Sequence, residues 1–334
     1  MKKLLCIILS VLMMVSVVSL VSCKKTEKTL KFGMGVAVST SATSATKERN
    51  GTGEVDSTVA VITVDADGKV VACKIDVAQI EASYDKDGKA VATTDFRTKG
   101  EKKFDYNMVN YQASTKEWFE QAAAFEGVVV GKTRSEIKAL VAEDGKGVKA
   151  VETAGCTITV SDFVKAIEKA FENLADSKAT ASSTLKIGMA TDQTLTDYNA
   201  ETKKDGTNEI DTTIFGAAVN ADGKIIAVDT DCTQVRFTFN AAGESTFTDT
   251  EVPTKRQRGA AYGMKGSEIW GTDKVVEKEW FEQADAFESL CIGKTATEIA
   301  GLAASDGKGT DTVKDAGCTI TVSGFTAAAA KIAK

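Results

Sequence analysis

The chain has 334 residues, 43% of them hydrophobic and 26% charged, enough for two ordinary domains and unlike a disordered, collagenous or multi-span protein. It contains no His, which excludes His-based triads, His metal sites and every imidazole general base. Lys and Arg number 41 against 47 Asp and Glu, so the net charge is -6 and nothing draws the chain to nucleic acid.

Lys2 and Lys3 precede an apolar run from Leu4 to Val21 that closes in Leu20-Val21-Ser22-Cys23. A positive start, an apolar stretch and a small residue at the cut describe an export signal over residues 1–22. The run is also nearly long enough for one membrane-spanning helix, but it stops at the Leu-Val-Ser-Cys sequence. That ending resembles the bacterial lipobox, which implies cleavage before Cys23, diacylation of its thiol and a lipid anchor on the extracytoplasmic face of the cell membrane. Losing residues 1–22 removes two Lys and no acid, which moves the balance from -6 to -8. Residues 23–28 then form a tether whose last five residues reach ~18 Å at most, so the first domain is expected close to the bilayer.

Beyond the tether the chain repeats itself. Leu30-Lys31-Phe32-Gly33-Met34 recurs as Leu185-Lys186-Ile187-Gly188-Met189, and Asp67-Gly68-Lys69 as Asp222-Gly223-Lys224, both at an offset of 155. Lys116-Glu117-Trp118-Phe119-Glu120-Gln121 returns at 278–283 and Ala154-Gly155-Cys156-Thr157-Ile158-Thr159-Val160-Ser161 at 316–323, both at an offset of 162. A short insertion around Lys265 to Asp273 accounts for the slip. The spacing is far beyond solenoid repeats and predicts two tandem homologous domains, at 29–175 and 185–334, with a Ser-, Thr- and Ala-rich linker at 176–184.

Each copy reads as α+β, a small antiparallel sheet with hairpins followed by helices. Strands are expected over Val59–Val64, Val70–Ile80 and Ala90–Thr94, parted by the turn pairs Asp67-Gly68 and Asp87-Gly88. The spacing of Trp118, Phe119, Ala122 and Phe125 predicts a helix, and a second follows over Thr133–Val141. Gly131-Lys132-Thr133 looks like the end of a phosphate loop, but Glu126 stands where the upstream Gly belongs, and Thr133-Arg134-Ser135-Glu136 reads as a capping box, as does Thr295-Ala296-Thr297-Glu298. In Thr157-Ile158-Thr159-Val160 the alternation predicts a strand with Ile158 and Val160 inward and both hydroxyls outward, before a helix capped by Ser161. A Thr there is accessible and rigidly held, though a hydroxyl without a base is no nucleophile by itself.

Gly155-Cys156-Thr157 and Gly317-Cys318-Thr319, each followed by Ile-Thr and a Ser that leads into a helix, resemble the site at which covalent flavoproteins receive FMN, commonly Ser-Gly-Ala-Thr. Ala154 and Ala316 replace the leading Ser, and Val151 and Val313 stand where the family has an upstream Asp. With the lipobox, the short tether and the tandem copies, the chain is similar to the flavinylated lipoproteins of extracellular electron transfer. The resemblance implies one covalent FMN on Thr157 and one on Thr319, attached by a Mg-dependent flavin transferase. It also implies that a membrane dehydrogenase and quinone system donates the electrons and that an extracellular acceptor such as ferric iron takes them, the protein being a carrier more than an enzyme.

Other residues are weighed for the same site. Trp118 and Trp280, or Tyr106 and Tyr262 beside Met108 and Met264, are candidates to contact the ring, although each Trp has helical spacing beside Phe and also suits a core. The clusters Thr98, Lys99, Lys102, Lys103 and Thr254, Lys255, Arg256, Arg258 suit either a flavin phosphate or a solvated hairpin face. Gly33-Met34 and Gly188-Met189 would let a ligand approach the backbone. No Cys-x-x-Cys occurs, and Cys156 and Cys318, the only matched pair, read as structural. A solute-binding or structural surface lipoprotein without flavin is the alternative.

Overall fold

The computed structural model describes residues 27–111, 114–249, 252–268, 273 and 275–333. The expected export signal, Cys23, most of the expected tether and part of the expected insertion near 265–273 lie outside the described residues. Among those described, no helix is long and apolar enough to cross a membrane.

The first copy begins with three long antiparallel strands, β1 (Lys31–Thr43), β2 (Gly51–Val64) and β3 (Val70–Tyr84), flanked by two-residue strands β4 (Ala90–Val91) and β5 (Ala175–Asp176) in the order β4-β3-β2-β1-β5. Helices follow: α1 (Lys99–Lys102), α2 (Met108–Tyr111), α3 (Trp118–Val129), α4 (Arg134–Lys138), α5 (Lys149–Ala154) and α6 (Ser161–Glu172). The second copy repeats this with β6 (Thr184–Thr196), β7 (Gly206–Val219) and β8 (Ile225–Phe239) in the order β6-β7-β8. Its helices are α7 (Lys255–Arg258), α8 (Trp280–Cys291), α9 (Ala296–Ala300), α10 (Asp311–Asp315) and α11 (Ser323–Lys331). The chain is α+β, with antiparallel sheets followed by helices.

The strands run further than the apolar pattern predicts. β2 starts at Gly51, paired with Tyr84 of β3, and runs through Thr52, Glu54, Asp56 and Ser57, because each of these four pairs in unbroken register with both neighbours. In contrast, the expected strand at 90–94 shrinks to Ala90–Val91. Asp67-Gly68 and Asp87-Gly88 turn as expected, each Gly at positive φ.

Strand alternation sorts side chains between two cores. On β2, Ala60, Ile62 and Val64 face the helices, packed with Phe125, Phe163 and Ile167, whereas Val55, Val59 and Val61 face away. The outward set meets Leu185, Met189, Ile210, Ile214 and Phe237 of the second sheet in one shared core. Ser57 and Thr233 join hydroxyls inside that interface at 2.9 Å, and Tyr84 stacks on Phe239 with ring centroids 4.5 Å apart. Each sheet is therefore a wall between its own helices and the other copy.

The segment joining the copies is packed into this arrangement. β5 pairs with β1, Leu30 N donates to Ala179 O at 2.8 Å and Ala179 is fully buried. Gly33 and Gly188 also have a structural account: a Cβ on either would collide with the carbonyl oxygen of Ala170 or Ala328. Close approach of α6 and α11 to the first strand of each copy, and not a ligand, requires those glycines, while Met34 and Met189 fill the shared core.

Candidate functional site

Helix α5 ends at Gly155, whose φ of 102° places it in the left-handed region that glycine reaches at little cost; Gly317 has φ 96°. The turn buries Cys156 and Cys318 completely, and burial pushes both thiols up to about 11, so neither is a thiolate nucleophile. The side chain of Lys116 crosses over Gly155, and that of Lys278 over Gly317, where a Cβ would strike the ammonium.

The stretch from Thr157 to Val160 is irregular, not the expected strand, with only a bridge between Thr159 and Lys146. Its facing still alternates: Thr157 and Thr159 are exposed, Ile158 is half-buried and Val160 is fully buried. The backbone is held from the side, since Val160 N and Ser161 N both donate to Gly145 O, at 2.9 and 3.2 Å. Val160, not Ser161, is the cap residue of α6, which has no side-chain capping bond, and Ser161 is its first helical residue.

Buried Gln121 on α3 fixes Thr157. Its Oε1 accepts from Thr157 N at 2.8 Å and from Thr157 Oγ1 at 3.0 Å, while its Nε2 donates to Ser114 Oγ at 2.9 Å and Lys116 O at 3.1 Å. Gln283 makes the same pair of bonds to Thr319, at 2.8 and 3.0 Å. The amide cannot flip without losing bonds on both sides, so the hydroxyl has one defined direction.

Thr157 opens onto a pocket of about 560 Å3, within the size class of ~300–1,000 Å3 that holds small molecules. Tyr106, Met108, Trp118, Lys99, Lys146 and Asp56 line it too. The structure thus gathers five residues singled out from sequence, Thr157, Tyr106, Met108, Trp118 and Lys99, at one cavity. Their roles differ from the simplest expectation. Trp118 and Trp280 are 4% and 5% exposed and pack against Phe163 and Phe325, so they wall the site and present no open stacking face. Met108 is buried and Met264 half-buried; their sulfurs accept from Gln121 and Gln283 Nε2 at 3.4 and 3.5 Å. Tyr106 OH donates to Gln79 Oε1 at 3.1 Å, and Lys99 Nζ lies over its ring 5.5 Å from the centroid; Lys255 covers Tyr262 likewise at 5.6 Å.

Of the basic clusters, Lys99 alone lines this pocket. Thr98 and Thr254 are buried helix caps whose hydroxyls donate to Asp76 and Asp231 at 2.7 and 2.6 Å. Burial pushes both carboxyls up, and these bonds pull back against it. Arg256 is committed to Asp285 and Glu288 at 2.7 and 2.6 Å, and Lys102 lies 3.9 Å from Asp95. Thr133 and Thr295 head capping boxes, so the Gly-Lys-Thr sequence is a helix start.

Gln121, Lys146 and Asp56 were not singled out from the sequence. Repetition was the signal for all three: Gln121 ends the identically repeated Lys116–Gln121 stretch, Asp144-Gly145-Lys146-Gly147 returns at 306–309, and Asp56 returns as Asp211. No group of three or more His, Cys, Asp or Glu among the described residues is placed to hold a metal ion. No protein-family model, no curated protein and no solved structure matches the chain.

Proposed function

We propose that this protein is a lipid-anchored, extracytoplasmic electron carrier with one FMN joined covalently to Thr157 and one to Thr319. The observation that carries the reading is the exposed Thr157 hydroxyl, oriented by Gln121 at the rim of a pocket of ligand size that Lys99, Lys146 and Tyr106 also line.

The residues present suit the group. Lys146 at the pocket and Lys116, whose side chain crosses over Gly155 beside the Thr, give positive charge for a phosphodiester. The flavin supplies the redox chemistry when bound, while the chain binds, orients and tunes. The Thr157 hydroxyl bonds to an amide oxygen, that of Gln121, which is no base, and this fits attachment by a separate transferase. In that step Thr157 Oγ1 forms a bond to the FMN phosphorus of FAD, the phosphoanhydride bond to AMP breaks, AMP leaves, and the hydroxyl proton passes to the transferase. Nothing is oxidised or reduced. Gln121 releases the proton it had held in line.

On this reading Cys23 ties the chain to the bilayer, a membrane dehydrogenase and quinone system supplies electrons, and an extracellular acceptor receives them. Covalent attachment keeps a diffusible cofactor from being lost outside the cell. The test is the intact mass and visible spectrum of denatured protein from cells that also make a flavin transferase. A yellow chain heavier by two FMN groups is expected. A colourless chain at its bare mass overturns the reading and leaves a solute-binding or structural lipoprotein.

A further inference from the structure

We infer that Asp56, and Asp211 at the matched position of the second copy, accept a hydrogen bond from the flavin ring and hold its electron affinity down. The inference rests on the flavin reading and adds the residues that fix the far end of the group. Among the described residues three buried side-chain polar atoms have no hydrogen-bond partner: Asp56 Oδ1, Asp211 Oδ1 and Thr63 Oγ1. Two of the three are the same atom in the two copies, 155 residues apart. A buried carboxylate oxygen without a donor is costly, and a chain that carries the same cost twice at one place in its fold has a use for it.

The surroundings say what is missing. Lys99 Nζ stands 3.2 Å from Asp56 Oδ1 and Lys255 Nζ 3.8 Å from Asp211 Oδ1, so charge is partly balanced, but neither ammonium is aligned as a donor. An ionised carboxylate only accepts, so the partner must bring an N–H or O–H. Asp56 lines the same pocket as Thr157 and is separated from it by a chain of contacts. Thr157 bonds Gln121, Gln121 meets Met108, and two residues back Tyr106 bonds Gln79, which reaches the other oxygen of Asp56 at 3.5 Å. With the phosphate on Thr157, a ring that reached the Asp56 side of the same pocket would bring an imide N3–H, the kind of donor that the carboxylate lacks. A fixed negative charge there opposes the addition of electrons to the ring, so neutralising it raises the potential.

The test uses the full-length protein with Thr319→Ala, so that only the first site titrates, compared with the same protein carrying Asp56→Asn. Both are expected to gain one flavin by mass, with the Asp56→Asn flavin titrating at a distinctly more positive midpoint potential. Glu81→Gln, an exposed carboxylate that does not line this pocket, leaves the potential where it was. Equal potentials with full loading overturn the inference and leave the flavin reading standing. Absence of covalent flavin from the Asp56 parent overturns the flavin reading itself, and the inference with it. If Asp56→Asn does not fold, Asp211→Asn in a Thr157→Ala background reads the second site, where the same positive shift is expected and its absence is decisive.

Discussion

The two copies agree where they touch the Thr hydroxyl and diverge just behind it. Gln121 and Gln283, Lys99 and Lys255, Tyr106 and Tyr262, and Asp56 and Asp211 keep identity and place. Behind the sheet-facing side of α3, however, the first copy pairs Lys74 on β3 with Glu126 at 3.1 Å. In the second copy the Lys74 position is Asp229, and the cation has moved to α7 as Arg256, which serves Asp229, Asp285 and Glu288 at 3.3, 2.7 and 2.6 Å. A second difference lies at the helix that follows the Thr: Asp162 lines the first pocket, whereas its counterpart is Gly324, where a Cβ would come within 2.5 Å of Thr213 Oγ1. The start of α11 therefore stands closer to β7 than a side chain allows. The lesson is that the geometry around the hydroxyl is held constant while the charges and contacts supporting it are solved differently in each copy.

The strongest way to break the comparison is to remove the hydroxyls. Thr157→Ala and Thr319→Ala are each expected to halve the covalent flavin, and the double variant to carry none, read by intact mass; retention of both flavins in the double variant would sink the assignment. Next is the cation. Arg256→Ala leaves Asp229 and Glu288 buried with no counter-charge and is expected to cost ~3–5 kcal/mol in denaturant unfolding. Lys74→Ala, at a half-exposed partner, should cost about 1 kcal/mol or less.

The same cluster gives a pH dependence. Burial and mutual repulsion, against the pull of Arg256, push Asp229 up to about 7 and Glu288 up to about 8. Folded-state values above unfolded ones mean that the native chain binds more protons in between, so this contribution is full below ~4 and declines as pH rises through about 7 to 8. Melting temperature should therefore fall with pH across that window and fall less steeply in Glu288→Gln; an unchanged slope would refute the buried-acid account. The last pair of variants sharpens the second difference. Gly324→Ala should destabilise by ~1–3 kcal/mol through its collision with Thr213, whereas Asp162→Ala should leave unfolding within about 0.5 kcal/mol.

Much of the fold was legible because it depends on local pattern: the duplication, the Asp-Gly turns, the helix at Trp118 and both capping boxes follow from residue order. Strand length was not. β2 continues through Thr52, Glu54 and Asp56 because its neighbours offer ladder partners, a cause that no apolar pattern records. The Thr157 segment shows the same division. Its alternation gave the correct facing, but Gly145 O and Gln121 hold it as an irregular loop, and neither partner is near it in sequence.

The sequence by itself determined that there are two copies, that each is sheet then helices, and that a Gly-Cys-Thr turn recurs in both, since turn chemistry, periodicity and repetition are written residue by residue. Only the tertiary structure decided that the two sheets share one core, that Trp118 and Trp280 are walls, and that Asp56 and Asp211 each keep an oxygen without a hydrogen bond. Those facts depend on which distant groups meet across a fold, and burial and hydrogen bonding are properties of that meeting.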